Sequence, residues 1–212
     1  MTKITHYGTI ALCVILLINL GLFIISQTSP KETREKADIG APFYFVDTST
    51  YWCAIADFAV CDECIYVLYE SKSVLSCYNL NGAYLHSYAI RTMNNGKMQL
   101  YVEGDTVYLE SREHYFYSFK GGKYAGFMKP DIESHYDIVE SLSAATVAHN
   151  AEVQYELRGA SIWCFSQNGS VKIIHRPAWF VLFQNDTPFL ICMICFFALW
   201  FRLAKSKMWF AK

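Results

Sequence analysis

Hydrophobic residues follow two kinds of pattern along this chain. Near each end lies a nearly unbroken apolar stretch, residues 8–25 and residues 189–201, and each stretch predicts a helix. Between them, short apolar segments alternate with polar turns, which is typical of β-strands. The pattern therefore predicts a mostly β middle region between two apolar helices.

The middle region contains an internal repeat. Residues 65–84 align on residues 105–124 without a gap, and a third, looser copy covers residues 155–175. The aligned pairs include Val67 and Val107, Glu70 and Glu110, Ser71 and Ser111, and Gly82 and Gly122. A further apolar segment precedes each of the first two copies, so each unit predicts four antiparallel strands. The predicted strands are residues 54–60, 64–70, 74–79 and 83–90 in the first unit, and 97–102, 106–110, 115–119 and 123–127 in the second.

Two details refine this pattern. Residues 64–69 are apolar at nearly every position, which predicts a strand buried on both faces. The third copy follows at a longer offset than the second, and the surplus falls in residues 131–148, where apolar residues recur at helical spacing. We expect an inserted amphipathic helix there. Its role is either a binding surface or the covering of a sheet edge. The binding surface would be formed by Asp131, His135, Tyr136 and Asp137.

The segment AVCDECIYVLYESKSVLSCYNLNGAYL, residues 59–85, resembles a β-propeller blade of the NHL or WD40-like type. It lacks the Gly-His and Trp-Asp pairs of true WD40 blades. The resemblance covers residues 51–177 and implies about three four-stranded blades, whereas propellers have about four to eight. A partial propeller would then be completed by residues 42–47, by a second copy of the chain or by a partner subunit. A meander or a sandwich is the alternative fold.

The two apolar stretches predict membrane segments. Residues 1–26 are interpreted as a retained signal anchor rather than a cleaved signal peptide, because Ile24-Ile25-Ser26 is a poor cleavage site. A linker (27–41), the β-rich domain (42–177) and a segment with an interfacial stretch, a transmembrane helix and a basic tail (178–212) follow. The last helix has the alternatives of a core or an interfacial helix, because thirteen apolar residues span only about 20 Å.

Charge is unevenly distributed along the chain. All 19 Asp and Glu lie within residues 31–186 together with 13 Lys and Arg, so this region carries 13 − 19 = −6. The remaining basic residues lie at the two ends, which predicts an integral membrane protein with both tails cytoplasmic and membrane lipids as partners. An acidic domain argues against nucleic-acid binding.

The cysteines are the main candidates for chemistry. Cys61 and Cys64 have the spacing of a redox motif, but they bracket a predicted hairpin turn with two acidic residues, which favours unreactive thiols. A zinc site formed by Cys53, Cys61, Cys64 and Cys77 is geometrically conceivable, but Cys53 and Cys77 lack the required spacing. Structural disulfides or buried thiols are the favoured interpretation.

No catalytic, metal or cofactor motif is identified, and the histidines are scattered. The sequence therefore predicts a membrane-tethered, extracytoplasmic binding or scaffold protein rather than an enzyme. We expect it to associate with itself or with a protein partner in a larger complex. The alternative is an extracytoplasmic thiol-redox or metal-dependent enzyme that uses Cys61 and Cys64.

Overall fold

The computed structural model describes residues 14, 17, 21, 35–46, 55–61, 64–93, 97–144, 148–150, 153–167, 169–175, 193–198 and 201. The chain divides into two compact units. One contains residues 1–29 and 182–212, and its described residues are helical. The other contains residues 30–181 and is mostly β.

The predicted membrane localisation is wrong. Among the described residues, no helix is long and apolar enough to cross a membrane. The stretch 193–198 rises about 9 Å along its axis, whereas a bilayer core is about 30 Å thick. Most of the two predicted apolar stretches, residues 8–25 and 189–201, lies outside the described residues. The predicted flanking transmembrane helices and cytoplasmic tails are therefore not supported.

The described residues of the β unit form three antiparallel sheets. Sheet I has the order β1-β5-β4-β3-β2, with β1 Phe43–Phe45, β2 Asp57–Cys61, β3 Cys64–Tyr69, β4 Val74–Asn79 and β5 Tyr84–Ala89. Sheet II has the order β10-β6-β7-β8-β9, with β6 Gln99–Glu103, β7 Thr106–Glu110, β8 Phe116–Lys120, β9 Lys123–Met128 and β10 Ser143–Ala144. Sheet III has the order β11-β12-β13-β14, with β11 Ala148–Asn150, β12 Val153–Arg158, β13 Ser161–Ser166 and β14 Gly169–Ile174. The prediction of a mostly β protein is confirmed.

The eight strands predicted for the first two units are present, with small shifts at their ends. Each of these two sheets also has a fifth strand that the repeat did not predict. Strand β1 pairs with β5, and β10 pairs with β6. Each added strand covers a row of backbone groups that would otherwise form a sheet edge.

Sheet I lies between the other two sheets. One core joins sheets I and II, and a second core joins sheets I and III. All six residues of β3 are buried, so the prediction that this strand is buried on both faces is confirmed. Its side chains alternate: Cys64, Tyr66 and Leu68 enter the core with sheet II, whereas Ile65, Val67 and Tyr69 enter the core with sheet III.

The repeated glycines occupy equivalent turns and allow neighbouring sheets to approach closely. Gly82 and Gly122 have φ values of 80° and 77°, which favour glycine. A Cβ atom on Gly82 would lie 2.3 Å from the backbone oxygen of Ile173 in sheet III. A Cβ atom on Gly122 would lie 3.2 Å from the Sγ atom of Cys64 in sheet I. The turn of sheet I thus packs on sheet III in the way that the turn of sheet II packs on sheet I.

The insertion forms a helix, Ile132–Ser141, which we call the insertion helix. The carboxylate of Asp131 caps its N-terminus by accepting a hydrogen bond from the N–H of Ser134 at 2.8 Å. The helix packs on the face of sheet II that points away from sheet I, where the ring of His135 stacks on Phe116 with centroids 5.6 Å apart. The helix therefore covers part of a sheet face.

Candidate functional site

A buried carboxylate lies under the insertion helix. Glu110 is the last residue of β7, and only 8% of it is exposed. Strand alternation places Glu110 on the face opposite Leu109, which belongs to the core shared with sheet I. The hydroxyl of Tyr101 on the neighbouring strand β6 donates a hydrogen bond to Oε2 of Glu110 at 3.0 Å. One carboxylate oxygen is thereby held in place, and the other faces the helix.

Two histidines contact that second oxygen. Nδ1 of His114 lies 2.6 Å from Oε1 of Glu110, and Nε2 of His135 lies 2.8 Å from the same atom. The two imidazole rings are 4.6 Å apart and meet edge to face. The three residues come from a strand end, a turn and the insertion helix. We call Glu110, His114 and His135 the His–Glu–His cluster.

The two histidines are positioned differently. His114 has a φ of 61°, a left-handed conformation that is uncommon for residues other than glycine. Its side chain is 68% exposed, so the cluster opens to solvent on this side. The side chain of His135 is only 15% exposed, because it is held between Phe116 and Glu110. The cluster thus has one enclosed side and one accessible side.

Electrostatics keep the Glu110 carboxylate ionised. Burial by itself would raise its pKa, but hydrogen bonds from His114, His135 and Tyr101 outweigh that effect and lower the pKa. The pKa of Tyr101 is raised, first by burial and then by the charge of Glu110, so its hydroxyl remains a donor. An ionised carboxylate beside two imidazoles can bind a cation or exchange protons.

The four residues of the predicted binding surface do not share one face of the insertion helix. Asp131, Tyr136 and Asp137 are exposed, with Tyr136 at 69%, whereas His135 turns inward toward Glu110. Among the residues predicted for this surface, only His135 belongs to the cluster. Glu110, His114 and Tyr101 were not predicted as site residues from the sequence. The available signal was a histidine four residues after the repeated Glu110, with a second histidine on the inner face of the insertion helix.

The predicted cysteine cluster lies in the core between sheets I and II. Cys61 at the end of β2 and Cys64 at the start of β3 are cross-strand partners, and both are buried with Cys77. Burial raises the pKa of the Cys77 thiol, with a smaller contribution from Cys64. Redox catalysis needs an accessible thiol with a lowered pKa, so this environment does not favour the thiol-redox alternative. Cys53 lies outside the described residues.

The cysteines also differ from the His–Glu–His cluster as metal ligands. In the part of the chain that the structure describes, the one group of His, Cys, Asp and Glu side chains close enough to hold a metal ion is Glu110, His114 and His135. Their ligand atoms lie within 4.8 Å of one another.

Comparison with protein-family models and with curated proteins finds no match for this chain.

Proposed function

We propose that this protein is a binding or scaffold subunit that assembles with a second copy of itself, and that its sheets are propeller-type blades completed by that copy. The observation that carries the proposal is the equivalent packing of the repeat. Val67 of sheet I faces sheet III, and the aligned Val107 of sheet II faces sheet I. The next residues, Leu68 and Tyr108, lie on the opposite faces of their sheets. Sheet I therefore packs on sheet III in the same way that sheet II packs on sheet I.

The first strands of the three sheets also support a propeller-type arrangement. Strand β2 of sheet I contacts β6 of sheet II and β11 of sheet III. In β-propellers, four-stranded blades are arranged around a central channel. Three blades are fewer than the four to eight of known propellers, whereas two copies would supply about six.

The two ends of the stack have complementary surfaces. On sheet III, Trp163 and Phe165 lie on the face opposite Ile162, which packs against sheet I. Both aromatic rings are partly exposed, and each is covered by a cation: Lys172 lies 5.0 Å from the Trp163 ring, and Arg158 lies 4.3 Å from the Phe165 ring. Aromatic and Arg side chains are enriched in protein interfaces.

At the other end of the stack, the insertion helix exposes an acidic surface with one aromatic residue. Asp131, Asp137 and Glu140 are exposed, together with Tyr136, and the helix contains no Lys or Arg. Opposite charge favours the docking of this helix against Lys172 of a second copy, since Arg158 is already paired with Glu156 at 2.8 Å. Two such contacts related by a two-fold axis would close the assembly, which is the commonest symmetry of homo-oligomers.

Light scattering on the purified full-length chain tests this function. The expected mass is twice that of the chain. Lys172→Glu and Asp137→Lys should each shift the protein toward the monomer, and the double variant should restore the dimer because it reverses both charges. Lys123→Glu is the matched control, since Lys123 is exposed on β9 outside both surfaces. A monodisperse wild-type monomer would overturn the proposal.

A further inference from the structure

We infer that Glu110, His114 and His135 form a binding site for a divalent transition-metal cation of the zinc class. The site goes beyond the proposed function and does not depend on it. Imidazole nitrogen and carboxylate oxygen are common zinc ligands, and two histidines with one carboxylate also suit other first-row metals. The three side chains already converge, since their ligand atoms lie within 4.8 Å of one another.

The ligands are positioned before any metal binds. The Tyr101 hydroxyl holds the far oxygen of Glu110 at 3.0 Å, which is the kind of second hydrogen bond that orients metal ligands. Stacking on Phe116 fixes the ring of His135. His114 adopts a left-handed backbone conformation, with a φ of 61°, that brings its ring against Glu110. Backbone strain of this kind in a residue other than glycine clusters at binding sites.

The present distances are those of a hydrogen-bonded cluster, and a metal ion requires only a small adjustment. Nδ1 of His114 and Nε2 of His135 lie 2.6 Å and 2.8 Å from Oε1 of Glu110. Zinc bonds of about 2.0–2.1 Å in tetrahedral geometry separate ligand atoms by about 3.3 Å. Each ring nitrogen would therefore move away from Oε1 of Glu110 by roughly half an ångström or slightly more.

The accessible side of the cluster determines the type of site. Three protein ligands leave a fourth position open in a tetrahedral site, as in zinc sites that bind water or a small ligand. The exposure of the His114 side chain, 68%, provides the route by which a metal ion and a fourth ligand reach this position. The buried Phe116 and the partly buried His135 close the opposite side.

A purely structural role makes a different prediction. If the cluster only holds the insertion helix against sheet II, the protein will not bind metal at this position, and removal of His114 will change nothing in a metal titration. His114 is the informative residue because it is mostly exposed and lies outside both cores, so that its substitution should leave the fold intact.

Titration of the chelator-treated, full-length chain with Co²⁺ tests the site. We expect one Co²⁺ per chain, visible d–d absorption of a four-coordinate ion, and its loss when Zn²⁺ is added. His114→Ala should weaken binding at least tenfold, and Tyr101→Phe should weaken it by about ten- to a hundredfold, as expected of a residue that orients a ligand. Circular dichroism confirms that each variant is folded.

Two controls make the result specific. His175→Ala removes another exposed histidine outside the cluster and should leave Co²⁺ affinity unchanged. A charge-transfer band in the near ultraviolet would show that cysteine thiolates bind the ion, and it would overturn the assignment to this cluster. Absence of stoichiometric binding, or equal affinity in wild type and His114→Ala, would overturn it as well. Because oligomeric mass is not measured, failure here is distinct from failure of the proposed self-assembly.

Discussion

Glu70 and Glu110 occupy the same position in the repeat, yet their carboxylates have different partners. In sheet I, Oε1 of Glu70 accepts a hydrogen bond from the N–H of Met98 at 3.0 Å. This bond links the end of β3 to the segment that leads into β6 of sheet II. In sheet II, the aligned Glu110 meets His114, His135 and Tyr101. The difference follows from what lies next in the stack.

Sheet I has a neighbouring sheet on the side that Glu70 faces, and a backbone N–H is the donor available there. On the corresponding side of sheet II lies the insertion helix, which presents a histidine side chain. The carboxylate at this repeat position thus has different partners where the neighbouring element is a helix instead of a sheet. In this repeat, the candidate site lies where the regular packing of sheet on sheet ends.

The greatest loss of stability is expected from substitution of the aligned turn glycines, Gly82 and Gly122. Gly82→Ala should destabilise the protein by about 3 kcal/mol, since the left-handed conformation costs an L-residue about 1–2 kcal/mol and the added Cβ meets a backbone oxygen. Gly122→Ala should cost only about 1–2 kcal/mol, because the nearest atom is the Sγ of Cys64 at 3.2 Å, a side-chain atom that can shift. Urea denaturation measures both. A larger loss for Gly122→Ala would contradict the close contact of sheets I and III.

An intermediate effect is expected for the two carboxylates. Glu110→Gln should destabilise the protein by about 2 kcal/mol, because it removes charge-assisted hydrogen bonds from a buried network. Glu70→Gln should cost less than about 1 kcal/mol, since the amide oxygen can still accept the hydrogen bond from Met98. Chemical denaturation of both variants without added metal checks this difference. Equal losses of stability would contradict the expected energetic difference between Glu70 and Glu110.

The smallest effect concerns the first aligned position, where fully buried Ile65 corresponds to exposed Asp105. A hydrogen bond from Lys120, at 2.6 Å, lowers the pKa of Asp105. A lowered folded-state pKa stabilises the folded protein above the ordinary Asp pKa, about 3.9, and this contribution disappears as the pH falls. Asp105→Asn should therefore lower the melting temperature slightly at pH 7 and not at all near pH 2, as measured by calorimetry.

Local pattern was sufficient for much of the β region. Alternating apolar residues and turn residues predicted the strands of sheets I and II, because strand formation follows from nearby positions. The unbroken apolar run at Cys64–Tyr69 predicted burial on both faces for the same reason. The predicted membrane localisation was wrong, since no described helix is long and apolar enough to cross a membrane.

Which segments form strands, and where a turn needs glycine, follow from the sequence alone, since these depend on the period of side chains along a strand and on backbone sterics. Tertiary packing alone placed sheet I between sheets II and III, because the repeat specifies equivalent faces but not which copies meet. It also decided that His135 reaches Glu110, a contact between residues 25 positions apart. That contact depends on the direction in which the insertion helix folds back, and local spacing carries no information about this direction.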